Sequence, residues 1–284
     1  MDAVYWHDGS WTDEHRPLLG LGDNSFWMGN SVFDGARAYE GVIPDLQLHC
    51  ERVCRSAIHM LMRPTLDAAT LADICRDGVR RFERDAELYI RPMFYARAGF
   101  IVPEPDSTEC AIMIHRAPMP RGAFSACSSP FRRPGADMAP TAAKASCLYP
   151  MTQQALRFAR QQGFDNALVC NGAGDVVEFA TSNLMIVRDN TVCTPVPDGS
   201  FLAGITRARV IGLLRRAGVE VVERRLGLDD VLGADEVFST GNYGKVLPVD
   251  RIDQQTYAHG PITQLAQQRY HAFAHGEPAV AAVA

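Results

Sequence analysis

Residues 118–140 read PMPRGAFSACSSPFRRPGADMAP, and this stretch constrains the fold more than any other. Proline removes a backbone donor and fixes φ, while glycine and serine favour turns, so neither a long helix nor a central strand is expected through it. The segments on either side are each mixed. On the N-terminal side, HCERVCRSAIHMLM sets apolar or small residues at 53, 57, 60 and 61 between charged positions and predicts an amphipathic helix. DAATLADICRDGVRRFE predicts a second, with Asp67 as its N-cap. LYIRPMFYARAGFIV and CAIMIHRA are strand-like, being rich in β-branched and aromatic residues. On the C-terminal side, MTQQALRFARQQG predicts a helix closed by Gly163, and GITRARVIGLLRRAG another. Between them lie short strands separated by the turn sequences NGAGD and RDN. The expectation is an α+β chain of two mixed α/β lobes. A small N-terminal domain spans 1–118, an interdomain loop 119–134, and a larger C-terminal domain 135–284 ending in an Ala-rich EPAVAAVA tail.

The bulk composition excludes several function classes. Net charge is 28 − 33 = −5, which gives no basic footprint for nucleic acid or an anionic lipid surface. No run of about 18 apolar residues is present, so no membrane span is expected. The N-terminal MDAVYWHDGSWTDEH lacks the charged-then-apolar pattern of a signal peptide. The eight cysteines are scattered and never form CxxC, which predicts reduced thiols in a cytoplasmic protein. Cys50 and Cys54 lie near His49, but no second ligand cluster answers them, so no metal is expected.

Only two of the 28 basic residues are lysines, Lys144 and Lys245. Lys144 stands in PTAAKASCLY among small, mostly uncharged neighbours. Arginine can neither lose its proton nor condense with a carbonyl, whereas a desolvated lysine can do both. Lys245, beside a glycine turn, is read as a surface or edge residue. Four further features suit an anionic aromatic ligand. Gly204, Ile205 and Thr206 open a helix whose first N–H groups can meet a phosphate. STGNYG, with Thr240, Gly241 and Asn242, offers amide and hydroxyl donors of the kind that make an anion nest. Arg52 can grip a phosphate in a bidentate manner. Glu178, in an apolar strand, needs a partner, because burying a lone carboxylate costs several kcal/mol. Each has an ordinary counterpart: a plain helix start, a plain turn, an exposed helical arginine.

Their order is more specific than any one of them. VFDGARAYEG, HCER, YIRP, PTAAKA, VVEFATSNL, GITR and FSTGN, met in that order, resemble the fold-type IV pyridoxal-phosphate enzymes, most closely the branched-chain-amino-acid aminotransferases. The likeness runs from about Trp6 to about Asp253. It implies the D-amino-acid-aminotransferase-like architecture and pyridoxal 5'-phosphate as cofactor. Lys144 then carries the cofactor covalently and serves as catalytic base and acid. Tyr149 meets the ring's phenolic oxygen, and Glu178 its nitrogen. Arg52, Gly204, Ile205 and Thr206 hold the phosphate, with Thr240, Gly241 and Asn242 closing the other side and Asn183 beside Glu178. For the substrate, the resemblance implies Tyr89, Arg91 and Arg37, with Phe33 and Tyr39 walling the pocket. Met28 stands where relatives commonly carry a tyrosine, and cannot donate to a carboxylate.

The activity so implied is transfer of an amino group from an amino acid, of the branched-chain L type, to a 2-oxo acid such as 2-oxoglutarate in a ping-pong cycle. A same-fold transaminase for D-amino acids or (R)-amines is the alternative, and a lyase of the aminodeoxychorismate type a more distant one. The family also implies at least a homodimer, and the linker around 118–135 is read as a candidate mobile gate over the pocket.

Overall fold

The chain was examined as a computed structural model that describes residues 1–276; the Ala-rich tail lies outside the described residues. It divides into two units. The first comprises Met1–Met119 together with Pro140–Tyr149, and the second Pro120–Ala139 together with the chain from Pro150 onward.

In the first unit, period-2 burial along Leu88–Ala96 and Thr108–Arg116 makes two long paired strands. The elements, in chain order, are β1 (Ala3–His7), β2 (Ser10–Thr12), α1 (Asn24–Trp27), β3 (Ser31–Phe33), β4 (Ala36–Ala38), α2 (Leu46–His59), α3 (Ala68–Val79), β5 (Leu88–Ala96) and β6 (Thr108–Arg116). The strands form one antiparallel sheet in the order β2-β1-β6-β5-β3, with β4 also on β5. Helices α2 and α3 bury Cys50, Val53, Ala57, Leu71 and Cys75 with Ile90, Phe94 and Ile114 of the sheet. Asp67 caps α3 as its sequence predicts, accepting from the Thr70 N–H at 2.8 Å.

The second unit contains β7 (Phe124–Arg132), all but the first residue of α4 (Tyr149–Gln161), β8 (Asn166–Cys170), β9 (Val176–Phe179), β10 (Asn183–Arg188), β11 (Thr191–Pro195), α5 (Ile205–Arg216), β12 (Val221–Arg224), α6 (Leu228–Leu232), β13 (Glu236–Gly241), β14 (Lys245–Ile252), β15 (Gln255–Thr256) and α7 (Pro261–Ala274). Its strand order is β12-β11-β10-β13-β14-β7-β8-β9, and β9 pairs back onto β10. Six strands therefore close into a ring. That closure puts Glu178 and Thr240 on either side of Asn183, each as its direct register partner.

Two boundary expectations are corrected. Residues 124–132 are not interdomain loop but β7, an inner strand with parallel partners β14 and β8. Its buried positions are the small Ala126 and Cys127, which give no hydrophobic signature, and Pro130 falls where the pairing with β8 slips between Ser128 and Arg132. A gate over 118–135 is at odds with a strand held on both edges. Lys144 in turn belongs to the first unit rather than to a C-terminal domain, because Ala143 and Ala145 are buried in the first unit's core.

Candidate active site

The backbone of Lys144 is held from both directions. Its N–H donates to Ser56 Oγ on α2 at 3.0 Å, and its carbonyl accepts from the Phe33 N–H at 3.1 Å. The side chain is thereby aimed at two rings. Nζ lies 4.8 Å from the Phe33 centroid and donates to the Tyr149 hydroxyl at 2.5 Å, and the two rings stand 5.0 Å apart. An amine pinned on one side by a phenol and flanked by an aromatic face has a defined direction of approach.

A charge cluster lies in the same unit. Asp34 is fully buried and accepts from Arg52 Nε at 2.6 Å and Nη2 at 2.8 Å, while His49 Nδ1 lies 2.8 Å from its Oδ1. Burial alone would raise the Asp34 pKa, but Arg52 and His49 outweigh it and hold the carboxyl well below its ordinary range. For Arg52, burial opposes the charge and the Asp34 carboxylate more than restores it. The fork leaves Nη1 and the remaining Nη2 hydrogen as the donors Asp34 does not occupy. Tyr89 is raised above its usual pKa by burial, partly offset by Lys144 and Arg91; the Arg91 guanidinium stands 5.5 Å from its ring.

Three other residues expected at the substrate have different surroundings. Arg37 is completely buried and gives Nη1 and Nη2 to the carbonyls of Ala117 and Pro118 at 2.8 and 2.9 Å, with Nε on Met119 Sδ. It clamps main chain. Tyr39 is a core residue, its pKa pushed up to about 12 by burial and then by Glu40 and Asp45. Met28 is 41% exposed beside the exposed Phe26 and Trp27.

In the second unit, Glu178 is buried, with Arg133 Nε 2.7 Å from Oε1 as an ion-pair contact rather than an aligned hydrogen bond. Arg133 is itself anchored on Thr152 Oγ1 and the Ala180 carbonyl, both at 3.1 Å. Asn183 reaches Glu178 at 3.4 Å and the Leu202 carbonyl at 3.0 Å. Gly204 closes against Asn183 so tightly that any Cβ there would collide with Asn183 Oδ1. Gly204 is also the N-cap of α5 and supplies no side-chain cap, so the helix opens with bare N–H groups at Ile205 and Thr206. Arg207 fixes that end by donating to Thr194 Oγ1, the Pro195 carbonyl and Glu223.

Across the ring of strands, two buried donors lack a protein partner: Thr240 Oγ1, on a fully buried residue, and Asn242 Nδ2. A Cβ on Gly241 would stand 3.0 Å from Ser182 Cβ, so backbone passes close there. Lys245 corrects the reading of a surface residue, for it is only 5% exposed. Unsatisfied donors, bare helix N–H groups and glycines at points of close approach are the parts of an anion cradle, and a buried carboxylate beside it suits a protonated ring nitrogen. A pinned primary amine suits a carbonyl cofactor. The donor set fits pyridoxal phosphate.

Together these features define a pyridoxal-phosphate enzyme of the transaminase type. Comparison with known proteins leads to the family. The family model for class IV amino-transferases matches residues 31–252. The branched-chain-amino-acid aminotransferase of Pseudomonas aeruginosa is 29% identical, over 95% of this chain and 92% of that protein. An aminotransferase from Brucella abortus, solved with its cofactor pyridoxal phosphate, is 42% identical with a TM-score of 0.95, covering 97% of this chain and 100% of that one. The branched-chain aminotransferase of Thermoproteus uzoniensis, solved with norvaline, is 29% identical with a TM-score of 0.89, covering 98% and 96%. The chain belongs to the class IV aminotransferase family, the fold-type IV enzymes that work with pyridoxal phosphate.

Asp34 and Arg133 were not among the expected site residues. The signal for Asp34 was available: an aspartate set between the apolar strands β3 and β4 must be paired if buried, by the same argument that singled out Glu178. Arg133 was hidden by the reading of its segment as loop.

Proposed function

We propose that this enzyme moves an amino group from a branched-chain L-amino acid to a 2-oxo acid such as 2-oxoglutarate in a ping-pong cycle. The observation that carries the reading is the Lys144 Nζ–Tyr149 hydrogen bond at 2.5 Å beside the Phe33 ring, which holds a primary amine ready to carry a carbonyl cofactor and to move a proton. The branched-chain names of relatives along nearly the whole chain support the substrate class.

When bound, pyridoxal phosphate supplies an electron sink for the carbanion at the substrate's α-carbon. Lys144 Nζ would hold the cofactor covalently and, when free, would move the proton at the substrate's α-carbon. Tyr149 Oη, on the same amine, steers Nζ and donates to the cofactor's phenolic oxygen. Glu178 Oε2 holds a proton on the ring nitrogen, with Arg133 fixing Oε1 and Asn183 lining the carboxylate. The family resemblance would give the phosphate to Arg52 in the first unit and, in the second, to the N–H groups of Ile205 and Thr206, to Gly204 and to the Thr240–Gly241–Asn242 segment. Tyr89 and Arg91 address the substrate carboxylate, and Phe33 excludes water from Nζ.

We further infer a homodimer or higher homo-oligomer. Its support is an exposed apolar surface on the first unit, where Leu21 and Phe100 are 85% and 80% exposed and Trp27 packs on Phe100 at 5.3 Å. A face of that kind on an enzyme of this size favours burial against a second copy. Sedimentation of the purified enzyme at micromolar concentration tests it, and a strict monomer refutes it.

The test of the activity is the visible absorbance of the cofactor-loaded enzyme before and after addition of L-leucine, D-alanine and an (R)-amine, each separately. Bleaching by L-leucine with recovery of its keto acid is expected. Bleaching only by D-alanine or the amine moves the enzyme to a different substrate class, and no bleaching by any of the three, with pyruvate released from added aminodeoxychorismate, would make it a lyase.

A further inference from the structure

The second lysine of the chain is absorbed by none of the roles above, and its surroundings are unusual. Lys245 opens β14 directly opposite Gly241 at the end of β13. It is 5% exposed, sits in the left-handed region at φ +60°, and has Nζ 6.0 Å from the Tyr270 ring. A β-strand start needs neither a left-handed residue nor a lysine, and glycine, asparagine or aspartate adopt that conformation more readily. A long cationic side chain held there inside the protein points to a task for the charge.

The task is visible in one contact. Lys245 Nζ donates to Asn242 Oδ1 at 2.7 Å. An ammonium has donors only, so it settles which end of the Asn242 amide faces it: the oxygen turns toward Lys245 and the NH2 turns away. That NH2 is buried and has no protein partner, and neither does the hydroxyl of fully buried Thr240 two residues earlier, near the end of β13. Two donors left unsatisfied within three residues, one of them oriented by a buried cation, make a place for an acceptor carrying negative charge.

We propose that Lys245 is a positioning residue, locking the Asn242 amide so that Nδ2 donates to an anionic oxygen at the 240–242 turn. The oxygen belongs either to the cofactor phosphate or to the substrate carboxylate. This deepens the functional reading above and rests on it. Lys245 does not touch the anion; it acts through Asn242 and adds a fixed positive charge behind it.

Four variants test this: K245M, which removes the donor; K245R, which keeps donor and charge; N242A, which removes the amide; and N242D, which keeps a strong partner for Lys245 but replaces the outward donor with an acceptor. Cofactor-stripped enzyme is titrated with pyridoxal phosphate and with pyridoxal, which lacks the phosphate. Loaded enzyme is assayed for KM with an amino acid and with an amine that has no carboxylate. K245M and N242A are each expected to lose about 5- to 10-fold in affinity for the anionic member of one pair, with its uncharged counterpart within about twofold. N242D loses more, and K245R recovers most of the loss. A change in the pyridoxal phosphate to pyridoxal ratio assigns the oxygen to phosphate; a change in the amino acid to amine ratio assigns it to carboxylate. Unchanged ratios in well-folded K245M, or equal losses for charged and uncharged ligands, overturn the proposal. Should K245M not fold, unchanged ratios in N242D overturn it equally. Failure of the functional reading is separate: wild-type enzyme would bind the cofactor yet not be bleached by any amino donor.

Discussion

The polar groups around Lys144 and Asp34 and those at residues 240–242 and the start of α5 are finished to different degrees. In the first unit, Asp34 is saturated by Arg52 and His49, and Lys144 is bonded through its N–H, its carbonyl and its Nζ. In the second, Thr240 Oγ1 and Asn242 Nδ2 are buried without protein partners, and the first turn of α5 has no side-chain cap. A catalytic amine must be aimed before the ligand arrives, so its supports are internal and charge-balanced. A phosphate cradle can be completed by the phosphate itself, because the anion supplies the acceptors that its donors lack. The first unit should therefore resist cofactor removal, whereas the second should gain stability on cofactor binding.

The sharpest way to break this comparison is to remove the aimed group. Lys144→Ala is expected to lower turnover by roughly 10⁴-fold while its thermal melt stays near that of the cofactor-free wild type. Appreciable transaminase activity in K144A would refute the assignment. The next effect is on stability. Asp34→Ala leaves Arg52 buried without its counter-charge and should cost about 3–5 kcal/mol in urea unfolding of the cofactor-free enzyme at neutral pH. The sign with pH follows from the depressed Asp34 pKa. A carboxyl whose folded pKa lies below its unfolded value contributes its full stability above the unfolded value, about 4, and loses it as pH falls through the folded one. The gap between wild type and D34A should thus be flat from pH 7 to about 5 and narrow only below about 4. A gap that closes between pH 7 and 5 would refute the depressed Asp34 carboxyl as its source.

How much of this was legible in the sequence divides along physical lines. Helices α2, α3, α4 and α5 announced themselves through period and caps: Asp67 caps α3, and Gly163, just beyond α4, takes φ +78°. Lys144, Tyr149, Glu178 and Thr206 were singled out in advance, by chemistry or by the family resemblance. Strand β7 was not, because its buried positions are only Ala126 and Cys127, which lack the bulk that marks an inner strand, and its proline sits at a register slip. Arg37 and Lys245 were misplaced for a related reason. Composition shows that a residue is basic, but only tertiary structure shows whether its donors go to main-chain carbonyls, to a neighbouring amide or to a ligand.

A more local change probes the cradle. Gly204→Ala drives a Cβ into Asn183 Oδ1, displacing the amide from Leu202 and Glu178. We expect about 1–3 kcal/mol of destabilisation together with weaker cofactor binding, measured by unfolding and by titration of stripped enzyme. Removing the obstacle in G204A/N183A should recover part of the stability but not the cofactor affinity. Full recovery of both would mean that Asn183 only fills space.

The smallest expected effect falls on the pair that carries the functional reading. Tyr149→Phe keeps the ring beside Phe33 and removes only the hydroxyl that accepts from Lys144 Nζ. One hydrogen bond of this kind is worth about 1 kcal/mol, so kcat/KM should fall about fivefold and the melt should shift little. Lys144 would still be held by Ser56 and by the Phe33 N–H, which fix its backbone independently of the phenol. A loss approaching that of K144A would show that the backbone supports do not suffice and that the phenol takes part in moving the proton. The surroundings of Lys144 would then depend on ligand-facing groups as strongly as the 240–242 segment does, and the contrast between the two regions would no longer hold.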